Sequence, residues 1–425
     1  MITQMAVQSV AQGDDPGRAV PTPPGPLAGL RVLELSSYVA APLAGKALAQ
    51  LGADVIRIDP RGGAADRQRW PLAPSGTSLF WTGLNMGKRS ITVDFAAPVG
   101  RDIIHRLLAA CPPGTAVVIT NAIGRPWLSA EALQAHAPDL IHVHIEGRAD
   151  GSAAVDYTIN AETGLPLVTG PEGLDGPVNH VLPAWDLTCG LYAALAVSAA
   201  AARRASTGQG ARLRIALADV ALSLTASLGH IAEAHLHGIE RPRVGNHLYG
   251  TFARDFPSAD GARVMVAAVT ARQWRELLQI TGSSTAVLAV GDVLKADFDD
   301  EAQRYQHREV LAALLAPWFA EHSIADVEAA LTASTIPWGR YRTFRDVAAD
   351  AASGALPIFE GLEQPGVGWH PAAGSPVIED GYRRPPAPAP VLGADTSSIL
   401  ADLGWDADMI EAFRVNGIAG VGERP

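Results

Sequence analysis

The sequence predicts an α/β protein: a parallel sheet covered by helices, with a smaller unit inserted into it. Three observations carry this. Strand-like and helix-like segments alternate from Leu30 to Leu217. The texture changes at about residue 228. A stretch rich in Pro and Gly, from Leu356 to Gly393, then leads the chain back towards the first unit.

The elements follow in order. Met1 to Pro26 is polar and carries Pro-Thr-Pro-Pro-Gly-Pro. It has no basic stretch followed by an apolar one, so it reads as a flexible tail and not as a signal peptide. Leu30–Leu35 is a strand. Pro42–Leu51 has helical spacing and stops at Gly52. Ala53–Asp59 is a second strand, so the three form a βαβ unit with a parallel pair. Further strands are expected at Ser90–Phe95, Ala116–Thr120 and Leu140–Ile145, with helices at Val99–Ala110 and Ala130–Ala135 between them. Leu187–Arg204 is helical. Its most apolar run, Cys189–Ala202, has 14 residues, short of a membrane span, and is expected to be buried. Arg212–Leu217 is a strand, followed by one long helix from Asp219 to about Leu236. In the inserted unit, a strand at Gly261–Val269 follows an Asp-Gly turn, and helices follow at Thr270–Ile280, Arg308–Glu321 and Ile324–Ala333. A last helix lies near Asp406–Val415. The expected organisation is a tail over 1–26, the first part of a large domain over 27–227, a small α+β domain over 228–345, and a return segment over 346–425 that completes the large one.

Composition limits the function. The 425 residues are 48% hydrophobic, which is globular, and the net charge is −11. So acidic a chain is a poor general binder of nucleic acid or of an anionic membrane. A phosphate-bearing ligand would need local cations or backbone amides. Two cysteines, Cys111 and Cys189, provide neither a disulfide framework nor a Cys-rich metal site, and a reducing, cytoplasmic setting is expected.

The first βα turn reads Ser36-Ser37-Tyr38-Val39-Ala40-Ala41-Pro42. It has no glycine, whereas a nicotinamide site needs glycines for the backbone to approach the pyrophosphate. Asp59 ends the second strand, where an acid could meet a ribose, but polar residues commonly end strands. The P-loop, His-Glu-x-x-His and Gly-x-Ser-x-Gly patterns are absent from the sequence.

Four segments together carry a resemblance. They are Leu27–Leu35 with Leu51–Pro60, Leu84–Ile91, Trp185–Gly190 with Thr207-Gly208-Gln209-Gly210, and Leu392-Gly393-Ala394-Asp395-Thr396. Their order and spacing resemble the family III CoA-transferases, the group that includes formyl-CoA transferase and α-methylacyl-CoA racemase. Val178–Asp186, Gly245–Gly250 and Arg254-Asp255-Phe256 are similar to an isomerase branch that moves CoA between the two carboxyl groups of mesaconate. The resemblance implies a Rossmann-like large domain built from both chain ends, a smaller inserted domain and an interlocked homodimer. It implies an acyl-CoA substrate, with CoA entering as part of that substrate and no other cofactor or metal.

The resemblance makes Asp186 the nucleophile: a carboxylate attacks the thioester carbonyl, and the mixed anhydride is then captured by CoA thiolate. Read by itself, Asp186 is a helix N-cap, and the two roles are compatible. The other sites carry over by position. Val39 and Ala40 match the turn that lines the CoA thiol end, and Arg61 matches a CoA-binding arginine. Asn121, Ala122 and Ile123 match the stretch around the nucleotide. One family arginine has no counterpart, and Arg125 is the expected substitute. A family lysine falls at Ala153, and Arg148 is expected to serve instead. Asp156 is carried over as a further CoA contact. Lys88 and Arg89 are either phosphate contacts or internally paired. His180 is expected among the substrate-binding residues, as an acid–base group, with a structural role as the alternative. Asn246, Tyr249 and Arg254 are expected to hold the free carboxylate, since arginine suits a bidentate grip. The glycine-rich loop of formyl-CoA transferase has no match here.

Val155 stands where the racemase branch has a proton-shuttling histidine, which argues against racemisation. An intermolecular transferase would share the same nucleophile and is the main alternative. A catalytically silent CoA scaffold and a nicotinamide oxidoreductase fit less well.

Overall fold

The computed structural model describes residues 23–420. The tail expected at 1–26 lies outside these residues, apart from its last four. Those four are anchored: Arg384 Nη2 donates to Pro23 O at 2.8 Å, and Gly25 is buried against the Leu51 carbonyl.

The chain first lays down β1 (Arg31–Leu35), α1 (Ala40–Gln50), β2 (Asp54–Asp59), α2 (Leu79–Asn85), β3 (Arg89–Val93), α3 (Pro98–Ala109) and β4 (Ala116–Thr120). It continues with α4 (Ala130–Gln134), β5 (Ile141–Glu146), α5 (Asp156–Asn160), α6 (Leu165–Val168), α7 (Ala184–Thr207), β6 (Ala211–Ala216), α8 (Leu217–Ser227) and α9 (His230–His237). The six strands are parallel, and β1 to β4 are buried on both faces, while β6 at the edge alternates between buried and exposed. One face packs Val32, Val117, Ile119 and Val143 under α1, α7 and α8. The other packs Leu33, Ile56, Ile91 and Val118 under α3.

The inserted unit is an antiparallel sheet, β7 (Phe252–Pro257), β8 (Arg263–Ala268) and β9 (Trp338–Arg340), with helices between its second and third strands. These are α10 (Ala271–Ile280), α11 (Ser284–Leu294), α12 (Glu301–Gln306), α13 (Arg308–Glu321) and α14 (Ile324–Thr332). Its own core runs from Phe252 to Ile336 through Trp274, Leu311 and Phe319.

The return segment holds α15 (Phe344–Ala352), the hairpin β10–β11 (Phe359–Gln364, Gly368–Ala373) and the short pair β12–β13 (Ile378–Glu379, Tyr382–Arg383). It ends in α16 (Thr396–Asp402), α17 (Ala407–Val415) and β14 (Ala419–Gly420). β14 pairs antiparallel with β3, so the large sheet reads β14-β3-β2-β1-β4-β5-β6.

Two expectations are corrected. The long helix expected over 219–236 is two helices, broken where Gly229 takes a left-handed φ of 80°. The apolar run at 189–202 is not a buried helix of 14 residues. It sits inside the 24-residue α7, which is long and apolar enough to cross a membrane on those two criteria alone. Cys189, Ala193, Val197 and Ala200 pack against the sheet, while Leu191 and Leu195 on the opposite face are 55% and 63% exposed.

Candidate active site

β1 and β4 are neighbours, and the chain leaves them in opposite directions along the sheet. That reversal opens a crevice beyond the carboxyl ends of the two strands, where open α/β sheets receive ligands. The turn after β1 is fixed there from two sides. Asn121, just past β4, accepts from Ser37 N–H at 3.1 Å and donates to Ser37 O at 2.9 Å. Asp66 accepts the Tyr38 N–H at 2.8 Å and holds that residue at a φ of 66°, a conformation an L-residue seldom adopts unaided.

Asp66 is itself held by a buried ionic network. Arg57 forks onto Asp59 at 2.9 and 3.0 Å and reaches Asp66 at 3.3 Å, and Lys88 pairs with Glu34 at 2.8 Å. All five side chains are almost fully buried. Burial pushes the Lys88 ammonium down to about 8 against the pull of Glu34. Lys88 is thus internally paired, and Arg89 is bound to Asp54. The phosphate role considered for both gives way to these ion pairs.

The crevice contains a cavity of about 260 Å³ lined by Ser37, Pro60, Phe95, Asn121, Ala122 and Arg125, with Ile123 at its rim. Arg125 lies over the Phe95 ring at 5.3 Å. Val39 and Ala40, both buried, begin α1 on its other side. Arg61 donates to Gly417 O at 3.1 Å, so it is tied to the return segment. Arg148 is paired with Glu162 and Ala153 O, and so is not a free cation replacing the missing lysine.

Asp186 is the third residue of α7. Pro183 precedes the helix and offers no side-chain cap, so the N-cap reading of Asp186 is corrected. The cap comes from elsewhere in the chain. Asp156 Oδ2 accepts the N–H of Trp185 at 2.7 Å and of Asp186 at 3.0 Å, and Asp156 Oδ1 meets His180 Nε2 at 3.0 Å. Asn160, at the far end of α5, accepts from Trp185 Nε1 at 3.0 Å. Asp156 is 1% exposed and faces these amides, not the open crevice, so its expected role as a CoA contact is replaced by a structural one. His180 is likewise engaged, between Asp156 and the Tyr157 and Trp185 rings.

One turn beyond Asp186, Gly190 packs so closely on α1 that a Cβ there would lie 2.5 Å from Ala40 O. Residues four apart share a helix face, so this contact sets Asp186 beside the start of α1. The Asp186 carboxyl is pushed up to about 7. Burial is the main cause and the Asp156 charge the second, with Arg69 pulling the other way. Arg69 lies over the Tyr38 and Phe80 rings at 5.9 and 5.2 Å. Asp66 and Arg69 were not expected from the sequence. They sit three residues apart in a loop with no periodic pattern to mark them.

The residues expected to grip the free carboxylate lie on the inserted unit. Tyr249 donates to Glu233 at 2.7 Å, Asn246 bonds Asp255, and Arg254 faces Glu309 at 3.5 Å. Among the described residues no cluster of His, Cys, Asp and Glu is arranged to hold a metal ion.

A family model described as CoA-transferase family III matches residues 27–396. The chain belongs to CoA-transferase family III. It is 46% identical to the 2-methylfumaryl-CoA isomerase of Chloroflexus aurantiacus, over 89% of this chain and 94% of that one. It is 27% identical to the succinyl-CoA:mesaconate CoA-transferase of Haloarcula hispanica, over 89% and 97%. A CaiB/BaiF family protein from Brucella suis shares the fold at a TM-score of 0.71 and 28% identity, over 90% of this chain and all of that one. The mixed α/β architecture with a parallel central sheet is therefore the family III architecture, and an acyl-CoA is the family's substrate class.

Proposed function

We propose that this family III enzyme isomerises 2-methylfumaryl-CoA (mesaconyl-CoA) by moving CoA from one carboxyl group of the diacid to the other. The observation that carries the reading is Asp186 itself. It is a half-buried carboxylate on the first turn of α7, set against the CoA-side turn by Gly190, in a chain 46% identical to a 2-methylfumaryl-CoA isomerase.

In the proposed reaction an Asp186 carboxylate oxygen attacks the thioester carbonyl, the C–S bond breaks, and CoA leaves as thiolate. The thiolate attacks Cγ of the mixed anhydride, giving an aspartyl-CoA thioester and the free dicarboxylate. The other carboxylate then attacks the aspartyl thioester and expels thiolate. That thiolate closes on the substrate carbonyl and frees Asp186. Each step exchanges one acyl bond for another, so no redox or metal chemistry is required. Both intermediates hydrolyse, which makes exclusion of water a requirement. Ser36–Ala40 and the Asn121–Arg125 stretch would hold the CoA moiety.

The active assembly is proposed to be an interlocked, cytoplasmic homodimer. In each subunit both chain ends build the large domain, a reading supported by the β14–β3 pairing and by the open apolar faces of α7 to α9. The test is incubation with one 2-methylfumaryl-CoA regioisomer and chromatographic separation of the two. Wild type should interconvert them, and Asp186→Ala should not, with its oligomeric state unchanged. A second reading, intermolecular transfer, is favoured by the mesaconate transferase relative. Incorporation of labelled free mesaconate into the acyl-CoA pool would establish it over the first.

A further inference from the structure

We infer that His247, Arg254 and Arg308 form a carboxylate cradle on the inserted unit, in which Glu309 is a resident placeholder for the free carboxylate of a short dicarboxylic acyl-CoA. The substrate class rests on the reading above; the cradle rests on its own geometry.

Arg254 lies on β7, Arg308 and Glu309 open α13, which packs against that strand, and His247 lies in the loop before it. The fit of Glu309 is loose. One oxygen is 3.0 Å from His247 Nε2, the other is 3.5 Å from Arg254 Nη1, and the approach to Arg308 Nε is 3.6 Å. Only the first is within hydrogen-bonding reach. The burial is uneven as well: the Glu309 side chain is 63% exposed, against 7% for His247, 18% for Arg308 and 29% for Arg254. The groups that would normally seek water are sunk, and the acid that faces them stands in solvent.

The donors are left under-used. Arg254 Nε and Arg308 Nε are both buried with no hydrogen-bond partner. Buried guanidinium N–H groups without acceptors are costly and are seldom left so without a ligand to meet them. Neighbouring acids are already committed: Glu233 to Arg241 and Tyr249, and Asp255 to Arg263 and Asn246. Burial and the two arginines hold the His247 imidazole below its usual range, so two guanidinium charges face one carboxylate. The guanidinium planes are set by ring contacts, Arg308 over Tyr305 at 4.8 Å and Arg254 over Phe256 at 5.7 Å. A planar carboxylate meeting both N–H edges would satisfy what Glu309 does not. The loop that carries His247 is joined to the other site: Gly245 N–H donates to Gly170 O at 3.0 Å, and that segment leads to His180 and α7. Asn246 and Tyr249 are bonded to Asp255 and Glu233 beside this loop.

The test compares succinyl-CoA with butyryl-CoA, equal in chain length and differing in the terminal carboxylate. Dissociation constants are measured by calorimetry on full-length protein carrying Asp186→Asn, so that no acyl transfer intervenes. The parent should favour succinyl-CoA by roughly ten- to a hundredfold, the size of one or two charged hydrogen bonds. Arg308→Met should erase that preference without changing butyryl-CoA binding. Glu309→Gln, an exposed change that leaves the fold intact, should widen it. Equal affinity in the parent, or a preference that survives both Arg308→Met and Arg254→Met, would overturn the cradle. Because the readout is binding, a failed cradle leaves the isomerase reading standing. Failure of wild type to interconvert the 2-methylfumaryl-CoA isomers would remove that reading and leave the cradle.

Discussion

Asp186 and Asp156 share one helix terminus and divide its work. The α7 amides are bonded to Asp156, which leaves the Asp186 carboxyl uncommitted to the helix end and close to a like charge. The nucleophile role proposed for Asp186 requires an ionised carboxylate, and this carboxyl is pushed up to about 7. Raised means protonated below that value, so kcat/KM should fall on the acid side with an apparent pKa near 7. Asp156→Asn keeps an oxygen for the amides and removes the repulsion, so the acid limb should move to lower pH. An unmoved limb would show that the Asp156 field is not what raises Asp186. At this scale Asp186 could be singled out as a candidate, because it sits inside an ordered set of family segments. The job of Asp156 could not: a cap supplied from 30 positions away leaves no local pattern to read. Lys88 and Arg148 look like available cations in the sequence, and only their acid partners in space show otherwise.

The first βα turn does without glycine because a buried network builds it. Arg57 bridges Asp59 and Asp66, and Asp66 fixes Tyr38. Removing one partner from a buried ion set leaves charge uncompensated. Arg57→Met should therefore cost about 3–5 kcal/mol of stability, read as a drop in the urea midpoint. Replacement by Met with little loss would mean that the acids take up protons and that the network holds the turn without stabilising the fold. Regular elements were readable in proportion to their period. Ala116–Thr120 and Arg308–Glu321 fall where the pattern places them. α11 was missed because it is apolar nearly all round, with Leu288 and Val293 in solvent and no single buried stripe. The 219–236 helix was over-extended because the periodicity runs on across Gly229 while the backbone does not.

At the scale of the whole molecule, one subunit leaves an unusual amount of apolar helix uncovered. Leu191 and Leu195 on α7, Leu228 after α8 and Leu236 on α9 are all more than half exposed. Exposed apolar side chains on these helices are where the proposed dimer interface would lie. Wild type should sediment as a dimer, and Leu191→Asp with Leu195→Asp should give a monomer with helical content retained; a dimer that persists would place the interface on another face. The parallel sheet and the inserted unit could be read from alternation and its interruption. The short β14 could not, since two residues carry no period. Its pairing has a further consequence, for the order of assembly. Ser90 N–H bonds Asp395, 305 positions later, and β3 gains its outer neighbour only from β14. During synthesis β3 therefore remains an open sheet edge until the whole inserted unit has emerged. Contacts of such long sequence separation form slowly, and the nascent large domain carries an unprotected pairing edge throughout that interval.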